Sequence, residues 1–121
     1  MSMKNRPFRA RLGFALAGLR IVWVRERSFR TQCGLAVAAL AATAALRPDW
    51  IWLAIVSLCI ALVLLLEMVN AALEYLMDRV HPDYSIEIKF AKDAAAGAVL
   101  LASLASLVVG GLMVMSVLFP D

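Results

Sequence analysis

The chain has 121 residues, enough for one domain, and 64% of them are hydrophobic. A soluble domain of this length has too little interior to bury so much apolar surface, so the composition favours an integral membrane protein. The formal net charge is +3, from 12 Lys and Arg against 9 Asp and Glu. The positions of these charges along the chain say more than their sum.

Residues 6–30 are predicted to form an amphipathic helix on the membrane surface. Apolar side chains recur on one face at helical spacing: Phe8, Leu12, Ala15, Leu16, Leu19, Val22 and Trp23. Arginines border this face, as expected for attraction to anionic lipid. The alternative is a helix that packs on the protein's own loops. Because residues 1–32 contain no long apolar run, we expect no cleavable signal peptide.

Three apolar segments follow and predict three transmembrane helices. They are span 1 at 33–47, span 2 with a cytoplasmic extension at 50–78, and span 3 at 92–119. The short "RPDW" sequence between the first two predicts a tight turn and an antiparallel hairpin. Trp50 and Trp52 suit an interfacial aromatic belt. The expected fold class is all-α, an integral membrane protein with three spans plus the surface helix.

The basic residues predict the orientation of the chain. Eight of the 12 precede span 1, only Arg47 lies in the first turn, and none follows span 3. The other three, Arg79, Lys89 and Lys92, lie between spans 2 and 3. By the positive-inside rule, the N-terminus and the loop at 79–92 are cytoplasmic, and the C-terminus faces outward.

Polar residues gather at the end of span 2. At 100° per residue, Glu67, Asn70, Glu74 and Asp78 fall at about 0°, 300°, 340° and 20°, spread over roughly 16 Å of helix. Ionisable groups at the edge of a span usually face protein or water and indicate function. The alternative is an interfacial cap with hydrogen bonds to neighbouring helices.

Two further elements add polar groups at the same edge of the membrane. Glu26 falls on the apolar face of the surface helix and should point toward the protein body or the interface, unless it only forms a salt bridge with Arg30. This placement also holds if the helix breaks near Arg27 or Ser28. Lys92 and Asp93 begin span 3, where they suit phosphate binding. They equally suit a snorkelling lysine and a helix cap.

Carboxylates at this density suit Mg²⁺, which takes one or two carboxylates together with phosphate oxygens. A remaining carboxylate could take a proton from a hydroxyl group, so the pattern predicts phosphoryl transfer to a lipid alcohol. No Walker A or kinase catalytic loop is present. Cys33 and Cys59 are interpreted as packing residues, and nothing near His81 completes a metal site.

The stretches "ALAGLR", "ERSFR", "LEMVNAALEYLMDRV" and "AKDAAAGAV", in this order, resemble the small prokaryotic diacylglycerol kinase family, which also includes undecaprenol kinases. The resemblance covers almost the whole chain, and the pattern "ExxNxxxExxxD…AKD" is highly specific. It implies a multi-pass homotrimer in the bacterial cytoplasmic (inner) membrane, with ATP-dependent sites shared between subunits.

The resemblance also implies roles for individual residues. Glu67 would be the general base on the lipid hydroxyl, and Glu26 and Glu74 would hold Mg²⁺ and the ATP phosphates. The ATP contacts would be Asp83, Tyr84, Lys92 and Asp93. The lipid acceptor would lie along Arg20, Trp23, Phe29 and Arg30. Asn70 and Asp78 would support the site.

Some positions depart from the family pattern. Phe14 stands where a nucleotide-contacting tyrosine often occurs, Gln32 replaces a frequent glutamate, and Ala71 replaces a small hydroxyl residue. Pro7 stands near the usual N-terminal arginine contact. These departures concern the acceptor and the nucleotide contacts more than the chemistry.

The leading hypothesis is therefore an ATP- and Mg²⁺-dependent kinase that makes phosphatidic acid from diacylglycerol, with no nucleic-acid partner. The nearest alternative is the same chemistry on undecaprenol. A non-catalytic scaffold is disfavoured because packing alone would favour small or apolar residues on the acidic face. A transporter is disfavoured because its ionisable groups should lie nearer the middle of the membrane.

Overall fold

The computed structural model describes residues 3–121, and this part of the chain contains helices but no strand. The four helices are α1 (Phe8–Arg25), α2 (Arg27–Leu46), α3 (Trp50–Val80) and α4 (Ile86–Leu118). Helices α2, α3 and α4 are each long and apolar enough to cross a membrane. The prediction of an all-α fold with three such helices and an N-terminal helix is confirmed.

The region predicted as one helix at 6–30 is divided at Glu26, whose backbone is extended with φ −104° and ψ 104°. Its N–H donates to the Val22 carbonyl at 2.8 Å and its carbonyl accepts from the Arg30 N–H at 3.3 Å, so one residue closes α1 and opens α2. The Arg30 guanidinium also donates to the carbonyls of Trp23 at 2.6 Å and Val24 at 2.9 Å. These carbonyls lie at the end of α1, where no later turn supplies N–H donors.

A tight turn at residues 47–49 joins α2 to α3, and the two helices pack together as a hairpin. Arg47 adopts the left-handed conformation, with φ 51° and ψ 53°, and its N–H donates to the Thr43 carbonyl. Pro48 cannot continue a helix, and the Trp52 N–H bonds to the Asp49 carbonyl at 2.9 Å to begin α3.

Helix α3 contacts all three other helices and is the centre of the fold. Its C-terminal half meets the corner between α1 and α2 in a small core, where Val22, Phe29 and Ala71 are buried. Ala71 is only 2% exposed, and this small side chain lets the corner approach the α3 backbone closely. Most large apolar side chains of the three long helices remain exposed within one chain, as expected for surfaces that meet lipid or other helices.

An apolar cleft of about 530 Å³ is lined by α2, α3 and α4. Small residues such as Ala36, Ala39 and Gly110 form much of its wall. One end of the cleft reaches Gln32 and Leu64, which lies one helical turn before Glu67. The cleft therefore leads from the apolar body of the protein to the acidic face of α3.

Candidate functional site

Glu67 is a buried carboxylate with one hydrogen bond from another helix. Its side chain is 7% exposed, although it lies in an otherwise apolar stretch of α3. The Ser28 hydroxyl, in the first turn of α2, donates to Glu67 Oε2 at 3.0 Å. Within the described residues, Oε1 accepts no side-chain hydrogen bond. One carboxylate oxygen is therefore fixed, and the other is available to a substrate group.

Glu26 points from the helix corner toward α3. The Tyr75 hydroxyl donates to Glu26 Oε1 at 2.6 Å, and the Arg25 guanidinium lies 5.8 Å from the centre of the Tyr75 ring. The simple salt bridge to Arg30 is not formed, because that guanidinium caps the end of α1. Glu26 thus faces the protein body. Its hydrogen-bond partner, Tyr75, directly follows Glu74 in α3.

Between Glu67 and Asp78, two polar residues have acceptor oxygens without a side-chain partner in residues 3–121. The Asn70 side-chain oxygen is buried and accepts no hydrogen bond from residues 3–121. Glu74 is half-buried and forms no ion pair with the part of the chain that the structure describes. A buried polar atom without a partner is costly, so Asn70 is a position where a donor from a ligand or a neighbouring chain would bind favourably.

A second polar group lies further along α3, where the helix meets the loop before α4. Lys92 Nζ forms a 2.6 Å ion pair with Asp78, and Lys89 Nζ forms another with Asp93 at the same distance. A cavity of about 450 Å³ opens here. Its lining residues are Asp78, His81, Pro82, Asp83, Tyr84, Ser85, Ile88, Lys89, Lys92 and Asp93. All four residues predicted only as ATP contacts line this one cavity.

The predicted lipid-path residues have different environments. Arg20 and Trp23 are exposed on α1, beside the exposed apolar side chains of Phe8, Leu12 and Leu16. Phe29 packs in the core against Val22 and Ala71, and Arg30 caps α1. Within one chain, Arg20 and Trp23 therefore present free surface, whereas Phe29 and Arg30 hold the helix corner together.

Among the described residues, no group of three or more His, Cys, Asp or Glu side chains is arranged to hold a metal ion. The predicted pair, Glu26 and Glu74, still suits Mg²⁺, which often binds two carboxylates and completes its shell with phosphate oxygens and water. One Glu26 oxygen accepts the Tyr75 hydrogen bond, which leaves the other oxygen, and the Glu74 carboxylate, which forms no ion pair within residues 3–121, would supply the second donor. Oxygen donors of this kind fit a hard divalent cation.

Sequence reasoning missed Ser28 and Tyr75, which hold the two acids Glu67 and Glu26. Each donor is far from its acceptor in sequence, by 39 and 49 residues respectively. A tyrosine near a membrane edge normally indicates an interfacial aromatic residue. Only the packing of the helix corner on α3 brings these groups together.

Tyr75→Phe is expected to lower the free energy of unfolding by about 1 kcal/mol, because it removes a hydrogen bond to a partly buried carboxylate. Denaturant titration in detergent micelles, followed by circular dichroism, measures this change. Tyr84→Phe is the matched control, since Tyr84 is largely exposed and its hydroxyl bonds to no described side chain. Equal stability of both variants would show that the bond between Tyr75 and Glu26 is not stabilising.

Three long apolar helices, together with a face of carboxylates near the C-terminal end of α3, define a small helical membrane protein with a polar region at one end of its central helix. The family model for prokaryotic diacylglycerol kinase matches residues 13–114. Diacylglycerol kinase from Synechocystis sp. is 39% identical over 103 residues, which make up 84% of this chain and 59% of that protein. Diacylglycerol kinase from Escherichia coli K12 is 29% identical over 96 residues, 79% of each chain.

The chain belongs to the prokaryotic diacylglycerol kinase family, which confirms the resemblance drawn from the sequence motifs. It is accordingly a bacterial membrane protein. The matched region spans about three-fifths of the Synechocystis relative (59%).

Proposed function

We propose that the protein is a lipid kinase that transfers the γ-phosphate of ATP to the hydroxyl of diacylglycerol and forms phosphatidic acid. The observation that carries this proposal is the Glu67 carboxylate, which is buried, held at one oxygen by Ser28, and placed one turn beyond an apolar cleft. A carboxylate in such a place is costly to bury, so it usually serves a reaction or a ligand.

Glu67 is suited to act as the general base. Its free carboxylate oxygen would accept the proton of the lipid hydroxyl while the hydroxyl oxygen attacks the γ-phosphorus. The bond from the γ-phosphorus to the bridging oxygen breaks as the new P–O bond forms, and ADP leaves. Asn70, with a buried oxygen that lacks a partner, supports the same step by accepting a hydrogen bond from a group in the site.

Glu26 and Glu74 are proposed to hold Mg²⁺, which would neutralise charge on the ATP phosphates. Tyr75 keeps Glu26 turned toward α3, so this carboxylate lies on the side of the helix corner that faces the site. The cavity at the start of α4 provides a place for the nucleotide, with Lys92 and Lys89 as cations and Tyr84 as an exposed aromatic surface. Lys92 would exchange its bond to Asp78 for one to a phosphate oxygen.

Within one chain, the Glu67 carboxylate lies apart from the polar cavity that Asp78 lines at the start of α4. Glu67 and Asp78 are 11 positions apart on α3, which corresponds to roughly 16 Å along the helix axis. This separation supports composite sites formed in a homotrimer, where another subunit can bring its own groups to Glu67. The exposed apolar surfaces of the long helices leave room for such contacts.

The distribution of basic residues supports a location in the bacterial inner membrane with the acidic site on the cytoplasmic side, where ATP is available. In this orientation the N-terminus and the 79–92 loop are cytoplasmic and the C-terminus faces outward. The exposed apolar side chains of α1 would then lie in the cytoplasmic leaflet, beside the point where a lipid hydroxyl enters.

Undecaprenol is the second candidate acceptor, because the stretch "HPDYSIEIKFAKDAAAGAV" also resembles undecaprenol kinases. We expect purified protein in mixed micelles with Mg²⁺ and γ-labelled ATP to phosphorylate diacylglycerol faster than undecaprenol at equal mole fraction. Glu67→Gln protein and a sample with chelated Mg²⁺ are the controls. Faster labelling of undecaprenol would replace the acceptor in the proposal, and no labelling of either lipid would overturn the lipid kinase function.

A further inference from the structure

Ser28 is not among the residues predicted for the site from the sequence. Its hydroxyl is the one side-chain donor that the described residues offer to the buried Glu67 carboxylate. We propose that Ser28 is a positioning residue for Glu67: it fixes the carboxylate so that the free oxygen faces the lipid hydroxyl. This inference rests on the proposed role of Glu67 as general base.

The position of the Ser28 hydroxyl is set by the packing around it. Phe29, the next residue, is buried against Val22 and Ala71, so the first turn of α2 is anchored on α3. Arg30 ties the same turn to the end of α1 through the Trp23 and Val24 carbonyls. Ser28 is therefore presented by a segment that is held on both sides.

A second hydrogen bond crosses the same junction in the opposite direction. Ser28 of the corner segment donates to Glu67 of α3, and Tyr75 of α3 donates to Glu26 of the corner. Glu67 and Tyr75 are eight positions apart, about two helical turns. The two bonds together fix both the distance and the rotation of the corner relative to α3.

A fixed carboxylate matters because general base catalysis depends on the alignment of acceptor and hydroxyl. A glutamate side chain has three rotatable bonds, and without Ser28 the buried carboxylate could turn away from the lipid hydroxyl. The hydrogen bond to Oε2 selects one orientation and leaves Oε1 for the proton. Loss of Ser28 should therefore slow proton transfer without changing how ATP binds.

The test compares Ser28→Ala, Ser28→Thr and the matched control Thr31→Ala. Thr31 also carries a hydroxyl in the first turns of α2, but it bonds to the Arg27 carbonyl of its own helix at 3.1 Å. With saturating lipid, Ser28→Ala should reduce kcat about 10- to 100-fold, while KM for ATP stays within about twofold. Ser28→Thr keeps a hydroxyl and should retain kcat within about threefold of the wild type, and Thr31→Ala should retain it within about twofold.

A double-mutant cycle separates positioning from a general structural effect. Glu67→Asp shortens the side chain by one methylene group, which moves the carboxylate away from the Ser28 hydroxyl. In that background Ser28→Ala should change the residual kcat by less than about twofold. Size-exclusion chromatography and thermal unfolding in detergent confirm that each variant is folded.

The inference is overturned if Ser28→Ala keeps the wild-type kcat or if Thr31→Ala loses as much activity as Ser28→Ala. It is also overturned if Ser28→Thr fails to retain kcat, or if Ser28→Ala lowers kcat as much in the Glu67→Asp background as in the wild type. Wild-type protein without Glu67-dependent kinase activity would instead overturn the proposed function itself. Loss of activity in Glu67→Gln alongside full activity in Ser28→Ala would reject only the role of Ser28.

Discussion

Glu67→Gln is expected to reduce the rate of phosphate transfer by about 1,000-fold, within the range that a general base contributes. A glutamine amide has nearly the shape of the carboxylate but cannot take the proton of a lipid hydroxyl. Its side-chain oxygen can still accept the hydrogen bond from Ser28. The substitution therefore tests the chemistry of Glu67 with little change in packing, and kcat with saturating ATP and diacylglycerol is the quantity to measure.

Two controls accompany this variant. Mg²⁺-dependent ATP binding should be unchanged, because Glu67 is not one of the proposed metal ligands. Glu87→Gln makes the same chemical change at an exposed carboxylate that accepts a hydrogen bond from Ser85, and it should keep wild-type activity. Wild-type kcat in Glu67→Gln would remove Glu67 from the role of base, and an aggregated protein would be seen directly by size-exclusion chromatography.

The sequence allowed the long helices to be predicted because apolar length is a strong local signal. The sequence left open a break near Arg27 or Ser28 but did not locate it at Glu26, because neither Pro nor Gly stands between Val22 and Arg30. The break depends on contacts that local patterns do not reveal. Phe29 packs on Ala71, 42 positions away in the sequence, and the Arg30 guanidinium reaches back to cap α1.

The shared face of the α3 acids could likewise be predicted, because it follows from the geometry of one helix. The structure adds the environment of each acid. Glu67 is buried, Glu74 is half-buried without an ion pair, and Asp78 is paired with Lys92. These differences depend on which neighbouring element reaches each turn of α3. The roles of the acids in binding and catalysis remain predictions.

Glu74→Ala is expected to weaken Mg²⁺-dependent nucleotide binding by at least about tenfold, because it removes one of two proposed carboxylate ligands. Glu74 is a cleaner position for this test than Glu26. The Glu26 carboxylate bonds to Tyr75 and its backbone joins α1 to α2, so its loss would also disturb the fold. Glu74 forms no ion pair in residues 3–121, and its removal breaks no such contact.

The measurement is a titration of a fluorescent ATP analogue with and without Mg²⁺, with Glu87→Ala as the matched control for loss of one negative charge. Without the metal, a carboxylate near the phosphates repels them, so Glu74→Ala should bind metal-free nucleotide as well as or better than the wild type. With Mg²⁺ the order should reverse, because the carboxylate then binds a cation that the phosphates share. A Mg²⁺ requirement equal to that of the wild type would exclude Glu74 as a ligand, and weaker binding in both conditions would indicate a structural effect. Only the reversal between the two conditions assigns Glu74 to the metal.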